Sequence, residues 1–376
     1  MKSVKMLHTA DIHIGARESF LGANADKRRF ETLMTFERIM DLAAKEDVGL
    51  VAVAGDLFDS NGIEETFIKS VFDKISSYPQ IKVVFSAGNH DPLNAESPFL
   101  NRELPENLYV LGTKDECITL EELKLRVYGR SFERNCLKGE EFFTLKTDPE
   151  YINLLVQHGD LKSDLNSEYN AITPQFVKNS GLDYIALGHL HKRTEIGRID
   201  NTFFAYCGCP EGQGFDELDD KGVYIGEIGK GVCSLSFISV SKRKHIEKTV
   251  DISDAQNTAD IAELVLSSLK SDYGDNFGEN LYKIILSGEI SEQTEINLSQ
   301  ITSRLEEKLY FVKLRDNTEY KIDYAQLAKE PTLMGVFVKR MLEKEKNASE
   351  EEKQILKKAL KLGLRAFKAE VKFDED

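Results

Sequence analysis

Five short turns, each closing an apolar run, constrain this chain more than any other feature. In order they read DIH (11–13), GDLFD (55–59), GNHD (88–91), HGD (158–160) and GHLH (188–191). Short apolar runs bounded by turn residues read as buried strands. Between the first three runs lie two segments of helical periodicity. Residues 26–46 carry Phe30, Leu33, Ile39, Leu42 and Ala43, and a second helix is predicted over 64–77. A β-α-β-α-β order places the C-terminal ends of its strands along one edge. Any fold that accommodates this chain must therefore gather these turns, and five of the seven histidines stand in them.

Beyond residue 105 the pattern is strand-rich: NLYVLG, LRVYGRS, INLLVQHGD, DYIALGHLH, TFFAYCG, GVYIGEIG and SLSFISV. The expected class is α/β, an α+β sandwich of two sheets flanked by helices over residues 1–240. The charged break SKRKH (241–245) reads as a solvated linker at KRK, 242–244. A small α+β capping domain is predicted over 246–325, with helices at 257–271 and 296–307. The C-terminal segment 326–376 is helical. SEEE at 349–352 is a capping box opening a helix. After it, Ile355, Leu356, Ala359, Leu360, Leu364 and Phe367 form an apolar stripe expected to pack on the chain's own body.

The turns hold seven donors: Asp11, His13, Asp56, Asn89, His158, His189 and His191. Side chains two apart on extended backbone point the same way, so Asp11 pairs with His13, and His189 with His191. Glycines 55, 88 and 188 permit sharp turns and close backbone approach. Seven protein ligands are too many for one catalytic ion and suit two ions bridged by a carboxylate, with Asp56 the best bridge. Asn89 then has a purpose: it offers a neutral oxygen that adds no charge. Two aspartates against two divalent cations leave a net charge of about +2, which attracts a phosphate oxygen and acidifies a bound water. The nitrogen–oxygen donor set favours manganese or iron, with zinc as a further choice; calcium is excluded by the imidazoles.

Composition fits this reading. The net charge of −15 argues against coating DNA by phosphate neutralisation, but not against an enzyme whose cationic charge comes from metal. The five cysteines (117, 136, 207, 209, 233) are odd in number and form no framework, so reduced thiols are expected. The longest apolar run, VGLVAVAG, is far short of the roughly 20 residues a membrane span needs. The N-terminus turns polar too soon for a signal peptide. A cytoplasmic location without membrane contact is expected.

The ordered set DxH, GD, GNHD, H and GHxH resembles the calcineurin-like metallophosphoesterase superfamily over residues 5–210. The resemblance implies one ion on Asp11, His13, Asp56 and His191, and another on Asp56, Asn89, His158 and His189. It implies that His90 binds no metal and protonates the leaving oxygen, while a bridging hydroxide attacks in line. LHTADIHIG, GDLFDS, AGNHDP and YIALGHLHKR look like the nuclease subunits of SbcCD-type double-strand-break repair complexes. YCGCPEGQGFDELDDKGVYIGEI is similar to the bacterial DNA repair exonuclease branch of YhaO type. This implies DNA as substrate, a coiled-coil ATPase partner of SMC type on the C-terminal helices, and a homodimer formed through core helices. Some archaeal and eukaryotic relatives carry histidine where Asp59 stands. Here Asp59 is expected to accept a hydrogen bond from His90, fixing its tautomer and raising its pKa.

Two other functions share these residues. A phosphatase or small-nucleotide phosphodiesterase would keep the centre, although protein phosphatases of this group read GDxxDRG and GNHE where this chain has SNG at 60–62 and GNHD. A non-catalytic DNA-end-binding scaffold would not need all seven donors. Among other residues, His8 reads as structural and Asp91 as an orienter of its turn. Arg17, Arg28 and Arg29 read as solvated arginines on the metal side. Lys192 and Arg193 are candidates for phosphate contact.

Overall fold

The computed structural model describes residues 3–136, 145–162, 167–218, 220–291, 294–346 and 348–367. In chain order the strands of the first half are β1 Ser3–Thr9, β2 Leu50–Val53, β3 Lys82–Phe85, β4 Leu108–Val110, β5 Glu116–Leu120 and β6 Leu125–Gly129. Then come β7 Ile152–His158, β8 Tyr184–Gly188, β9 Gly197–Ile199, β10 Thr202–Tyr206, β11 Gly222–Gly229 and β12 Val232–Ser239. Helices α1 Ala25–Lys45 and α2 Glu65–Ser76 link the first three strands, and α3 Pro174–Asn179 precedes β8.

Two six-stranded sheets result, ordered β12-β11-β1-β2-β3-β4 and β5-β6-β7-β8-β10-β9. The β1–β4 ladder is parallel, as the β-α-β order requires, and β11 closes it antiparallel to β1. Alternation along each strand decides what lies between the sheets. Val4, Met6, Leu50, Ala52 and Val84 face inward against Val127, Leu154, Val156 and Ala186. Leu7, Val51 and Val53 face outward against Phe36, Ile39 and Phe67 of α1 and α2. Each such side chain contributes roughly 1.5–3 kcal/mol on burial, so the register of β1 and β2 is firmly specified. His8 sits on the inward face. Its ring lies 3.0 Å from the Tyr184 hydroxyl and 3.1 Å from the Leu187 carbonyl. Burial holds it neutral, with its pKa pushed down to about 3.

Beyond the sandwich, β13 His245–Asp251, β14 Leu281–Ser287 and β16 Phe311–Asp316 form a parallel three-stranded sheet. It is covered by α4 Thr258–Tyr273 and α5 Leu298–Glu306, with the two-residue strands β15 Glu289–Ile290 and β17 Glu319–Tyr320 at its side. Three helices follow: α6 Tyr324–Leu327, α7 Leu333–Glu345 and α8 Glu350–Phe367. The capping box forms: Glu352 accepts from Ser349 N–H at 2.9 Å, and the Ser349 hydroxyl accepts from Glu352 N–H at 3.3 Å.

Three expectations need correction. Arg28 is not solvated: it is fully buried and bonds Glu18 (2.9 Å), Glu31 (3.2 Å), Glu211 (2.9 Å) and the Gly212 carbonyl (2.8 Å). Nor is 242–244 solvated throughout: Lys242 and Lys244 are exposed, but Arg243 is not. Arg243 is buried, grips both Glu31 oxygens at 2.6–3.0 Å and lies 3.6 Å over the Tyr310 ring. The α8 stripe packs only in part: Leu360 and Leu364 are buried against Val338, whereas Ile355 is 66% exposed and Phe367 is open to solvent.

Candidate metal centre

The turns after β1, β2, β3, β7 and β8 converge where the two sheets meet. Backbone bonds tie the strand ends together: Asp11 N–H donates to the Gly55 carbonyl and His13 N–H to the Asp56 carbonyl, both at 3.0 Å. The approach leaves no room for side chains at two glycines. A Cβ on Gly188 would sit 1.9 Å from the Ala54 carbonyl, and one on Gly88 2.1 Å from Asp56 Oδ1. Asp11 (φ 52°), His13 (φ 48°), Asp56 (φ 49°) and His189 (φ 103°) all adopt left-handed backbone. Such conformations cost on the order of 1–3 kcal/mol each and cluster at functional sites.

All seven expected donors meet here. Asp11, His13 and His191 present ligand atoms within 4.8 Å of one another, as do Asp11, Asp56 and His158. Asp56 Oδ2 lies 3.3 Å from His158 Nε2 and 3.8 Å from His13 Nε2, between the two groups. Asn89 Oδ1 is 2.9 Å from His158 Nε2. The His189 ring packs edge-on to that of His158, 5.2 Å away, and the His189 backbone N–H bonds the Asp11 carboxylate at 3.0–3.1 Å.

The contacts fit a cation. His158 Nδ1–H donates to the Ala54 carbonyl at 3.0 Å, so in the neutral ring Nε2 is a lone pair, and it faces the Asn89 oxygen. His191 Nδ1 lies 2.5 Å from Glu217 Oε1, which turns its Nε2 lone pair toward His13 Nε2 at 3.1 Å. Both contacts thus bring ligand atoms to hydrogen-bond distance, where a ring proton or a metal ion can bridge them. Electrostatics agree. Burial opposes ionisation of Asp56, yet the imidazoles of His158, His13 and His90 outweigh it and hold the carboxyl below its ordinary range. Burial disfavours charge on His158 as well, but Asp56 and Asp11 raise its pKa. The two carboxylates thus favour positive charge on His158, whereas burial and the neighbouring His158 push the pKa of His189 down.

His90 stands at the mouth, its side chain 45% exposed, with its ring 4.6 Å from that of His13. Its partner differs from expectation. Nδ1 bonds the Asp59 main-chain carbonyl at 3.1 Å, while the Asp59 carboxylate is 3.9 Å away and nearer His13 Nδ1, at 3.4 Å. The tautomer is still fixed, but by the backbone. Asp91 orients its turn as expected, accepting N–H bonds from Leu57, Phe58 and Gly88 at 2.7–3.0 Å. Arg29 braces the loop after His13 through the Gly15 carbonyl and pairs with Glu64, whereas the Arg17 side chain is 71% exposed. Arg193 lies over the Phe237 ring. Cys207 and Cys209 are buried, and burial keeps both as thiols.

Two residues escaped the sequence reading: Glu217, behind His191, and Asp160, whose Oδ1 is 3.5 Å from His189 Nε2. Asp160 was visible in HGD. Glu217 follows His191 by 26 residues and belongs to no local spacing rule.

A two-sheet sandwich with donor turns at one edge, matched by the family's sequence profile over residues 4–193, defines the class: the chain belongs to the calcineurin-like phosphoesterases, hydrolases that use divalent metal ions. Within it, the chain is 26% identical over 283 residues to the uncharacterized metallophosphoesterase YhaO of Bacillus subtilis (strain 168), covering 70% of this chain and 67% of YhaO. It is 25% identical over 252 residues to the DNA double-strand break repair protein Mre11 of Methanopyrus kandleri, covering 61% of this chain and 55% of that one. It is 32% identical over 117 residues to a component of the nuclease SbcCD of Rhodobacter capsulatus, covering 29% of this chain and 27% of that one. The chain thus spans about two thirds of the first relative and just over half of the second. Among the described residues, no helix is long and apolar enough to cross a membrane.

Proposed function

We propose that this protein is a metal-dependent DNA nuclease that hydrolyses phosphodiester bonds with two divalent ions, manganese first among them. The observation that carries the reading is the pair of close contacts between ligand atoms, His13–His191 and His158–Asn89, on either side of Asp56. Asp11, His13, Asp56 and His191 would hold one ion, and Asp56, Asn89, His158 and His189 the other. Bound there, the ions would polarise phosphoryl oxygens and lower the pKa of a water. The remaining chemistry falls to the protein. Asp56, held by the His90 N–H at 2.9 Å, keeps the two donor groups in register. His90, with Nδ1–H donated to the Asp59 carbonyl, has an Nε2 proton to give to the leaving oxygen in its imidazolium form. Asp59 orients His90 through its backbone carbonyl, and its carboxylate lies 3.4 Å from His13 Nδ1.

The relatives named for double-strand-break repair and as a nuclease support DNA as the substrate. A coiled-coil ATPase on the C-terminal helices is supported by their open apolar side chains, with Leu333 75% exposed beside Val336, Ile355 and Leu362. Exposed Phe30 and Met34 on α1 are consistent with a homodimer through core helices. The division into 1–240, 246–325 and 326–376, and a cytoplasmic location, belong to the same proposal.

The test is a nuclease assay on end-labelled single- and double-stranded DNA, with Mn²⁺ against EDTA. Mn²⁺-dependent cleavage that falls about 10²–10⁴-fold in His90→Ala supports the reading. Hydrolysis of bis-p-nitrophenyl phosphate without DNA cleavage would move the substrate to a small diester.

A further inference from the structure

The ligand histidines differ in what holds them. His158 is fixed by the main chain of β2's end, through the Ala54 carbonyl. His191 is fixed by a side chain, the carboxylate of Glu217 at 2.5 Å. Glu217 is itself held: its second oxygen accepts the Gln213 N–H at 2.9 Å and the Cys209 thiol at 3.4 Å.

The segment that carries Glu217 is anchored away from the metal centre. At its start, Glu211 accepts from Arg28 (2.9 Å), Thr35 (2.6 Å) and the Lys242 N–H (2.5 Å), and the Gly212 carbonyl accepts from Arg28 (2.8 Å). In its middle, the Phe215 ring packs edge-on to His245 of β13, 5.2 Å away, and near Phe311 of β16 and Phe20. One side of this strap touches the three-stranded sheet and the other touches a metal-ligand histidine.

We propose that Glu217 is a positioning residue for the metal centre, and that the 211–217 strap transmits the seating of the three-stranded sheet to His191. This rests on the two-ion reading above. By accepting the Nδ1 proton, Glu217 sets the tautomer in which Nε2 is the ligand atom. It also fixes the ring's rotation and makes that nitrogen a better donor. Carboxylates behind ligand histidines act in this way, and their loss weakens metal binding about 10–100-fold. The arrangement makes one ion depend on the strap. The other is held by His158 and Asn89, whose contacts come from the sandwich alone.

The experiment is a Mn²⁺ titration of the full chain, following bound metal by mass spectrometry after gel filtration and the spin-coupled pair by EPR. Glu217→Gln keeps the shape and removes the charge; Glu217→Ala removes the partner. The expected result is an asymmetric loss. One ion weakens about 10–100-fold in Glu217→Ala and less in Glu217→Gln, the spin-coupled signal fades, and the other ion keeps its affinity. Phe215→Ala gives the same split at smaller size, with metal-free melting near wild type. Unchanged binding of both ions in Glu217→Ala overturns the proposal. Equal weakening of both ions with lower metal-free melting also overturns it, since that marks a structural role. If the wild type binds a single ion, the two-ion reading fails, and Glu217 stands or falls on whether that ion weakens in Glu217→Gln.

Discussion

Two buried polar clusters lie on either side of the loop after His13, and they solve the same problem differently. Around Arg28, three guanidinium groups (Arg28, Arg38, Arg243) meet three carboxylates (Glu18, Glu31, Glu211). That cluster supplies its own cations. At the strand ends, imidazole nitrogens and the Asn89 oxygen lie at hydrogen-bond distance from one another, and Asp11 and Asp56 meet imidazoles and backbone N–H groups. Both regions are buried and charged, so burial alone does not identify a site. What separates them is the source of positive charge: guanidinium groups balance the carboxylates around Arg28, even with Glu18 Oε2 left without a hydrogen-bond partner, whereas the strand-end carboxylates face imidazoles, which can also serve as metal ligands.

Changing one residue in each cluster would sharpen the contrast. Asp56→Asn should lower phosphodiester hydrolysis roughly 10³-fold or more, the rate equivalent of several kcal/mol of lost charge stabilisation. Mn²⁺ at about 100 times its Kd should stabilise the wild type by about 2.7 kcal/mol, and the Asn variant far less. Metal-free Asp56→Asn should melt at or above the wild-type temperature. Arg28→Met should do the reverse. It leaves Glu18, Glu31 and Glu211 short of a cation and should cost about 3–5 kcal/mol of folding stability, measured by urea denaturation in EDTA. If the Arg28 variant proved as stable as wild type, the view of that cluster as structural would collapse.

A third prediction turns on pH. His8 is buried and neutral, with its pKa lowered from 6.5 to about 3. A histidine whose folded pKa is depressed binds fewer protons folded than unfolded. Its contribution is therefore complete above pH 6.5 and is lost as pH falls toward 3. His245, lowered to about 4 by burial and the Arg28 charge, acts in the same direction. Stability should drop by a few kcal/mol over that window, and His8→Gln should flatten the slope in a pH series of thermal melts. The smallest effect belongs to the surface. Ser349→Ala should cost about 1 kcal/mol, visible as faster amide exchange in the first turn of α8 and without effect on metal binding.

The same contrast explains what could be read in advance. The ligand turns were legible because each is local: Asp11 with His13, or His189 with His191, declare their chemistry within three residues. Only their convergence needed the strand order. Arg28 and Arg243 read as solvated because a partner that buries each lies far along the chain, 183 residues to Glu211 for one and 212 to Glu31 for the other, although Glu31 and Glu18 also lie within ten residues of Arg28. No local pattern distinguishes an arginine bound for such a partner from one bound for water. Glu217 was missed for the same reason. The Asp59 expectation failed more subtly. The residue was right, but the chain offered His90 a carbonyl from the same position, and sequence does not say which oxygen is nearer.

The proposed metal centre would draw Asp11, His13, Asp56 and Asn89 from the ends of one sheet and His158, His189 and His191 from the other. This division orders events during synthesis. A nascent chain presents the first four donors early. The histidines of the second sheet come only after its strands emerge, and β1 gains its β11 neighbour only once residues 222–229 are out. No chain shorter than 191 of the 376 residues holds all seven donors. The proposed centre thus stays unassembled on the ribosome until at least half of the polypeptide has been translated.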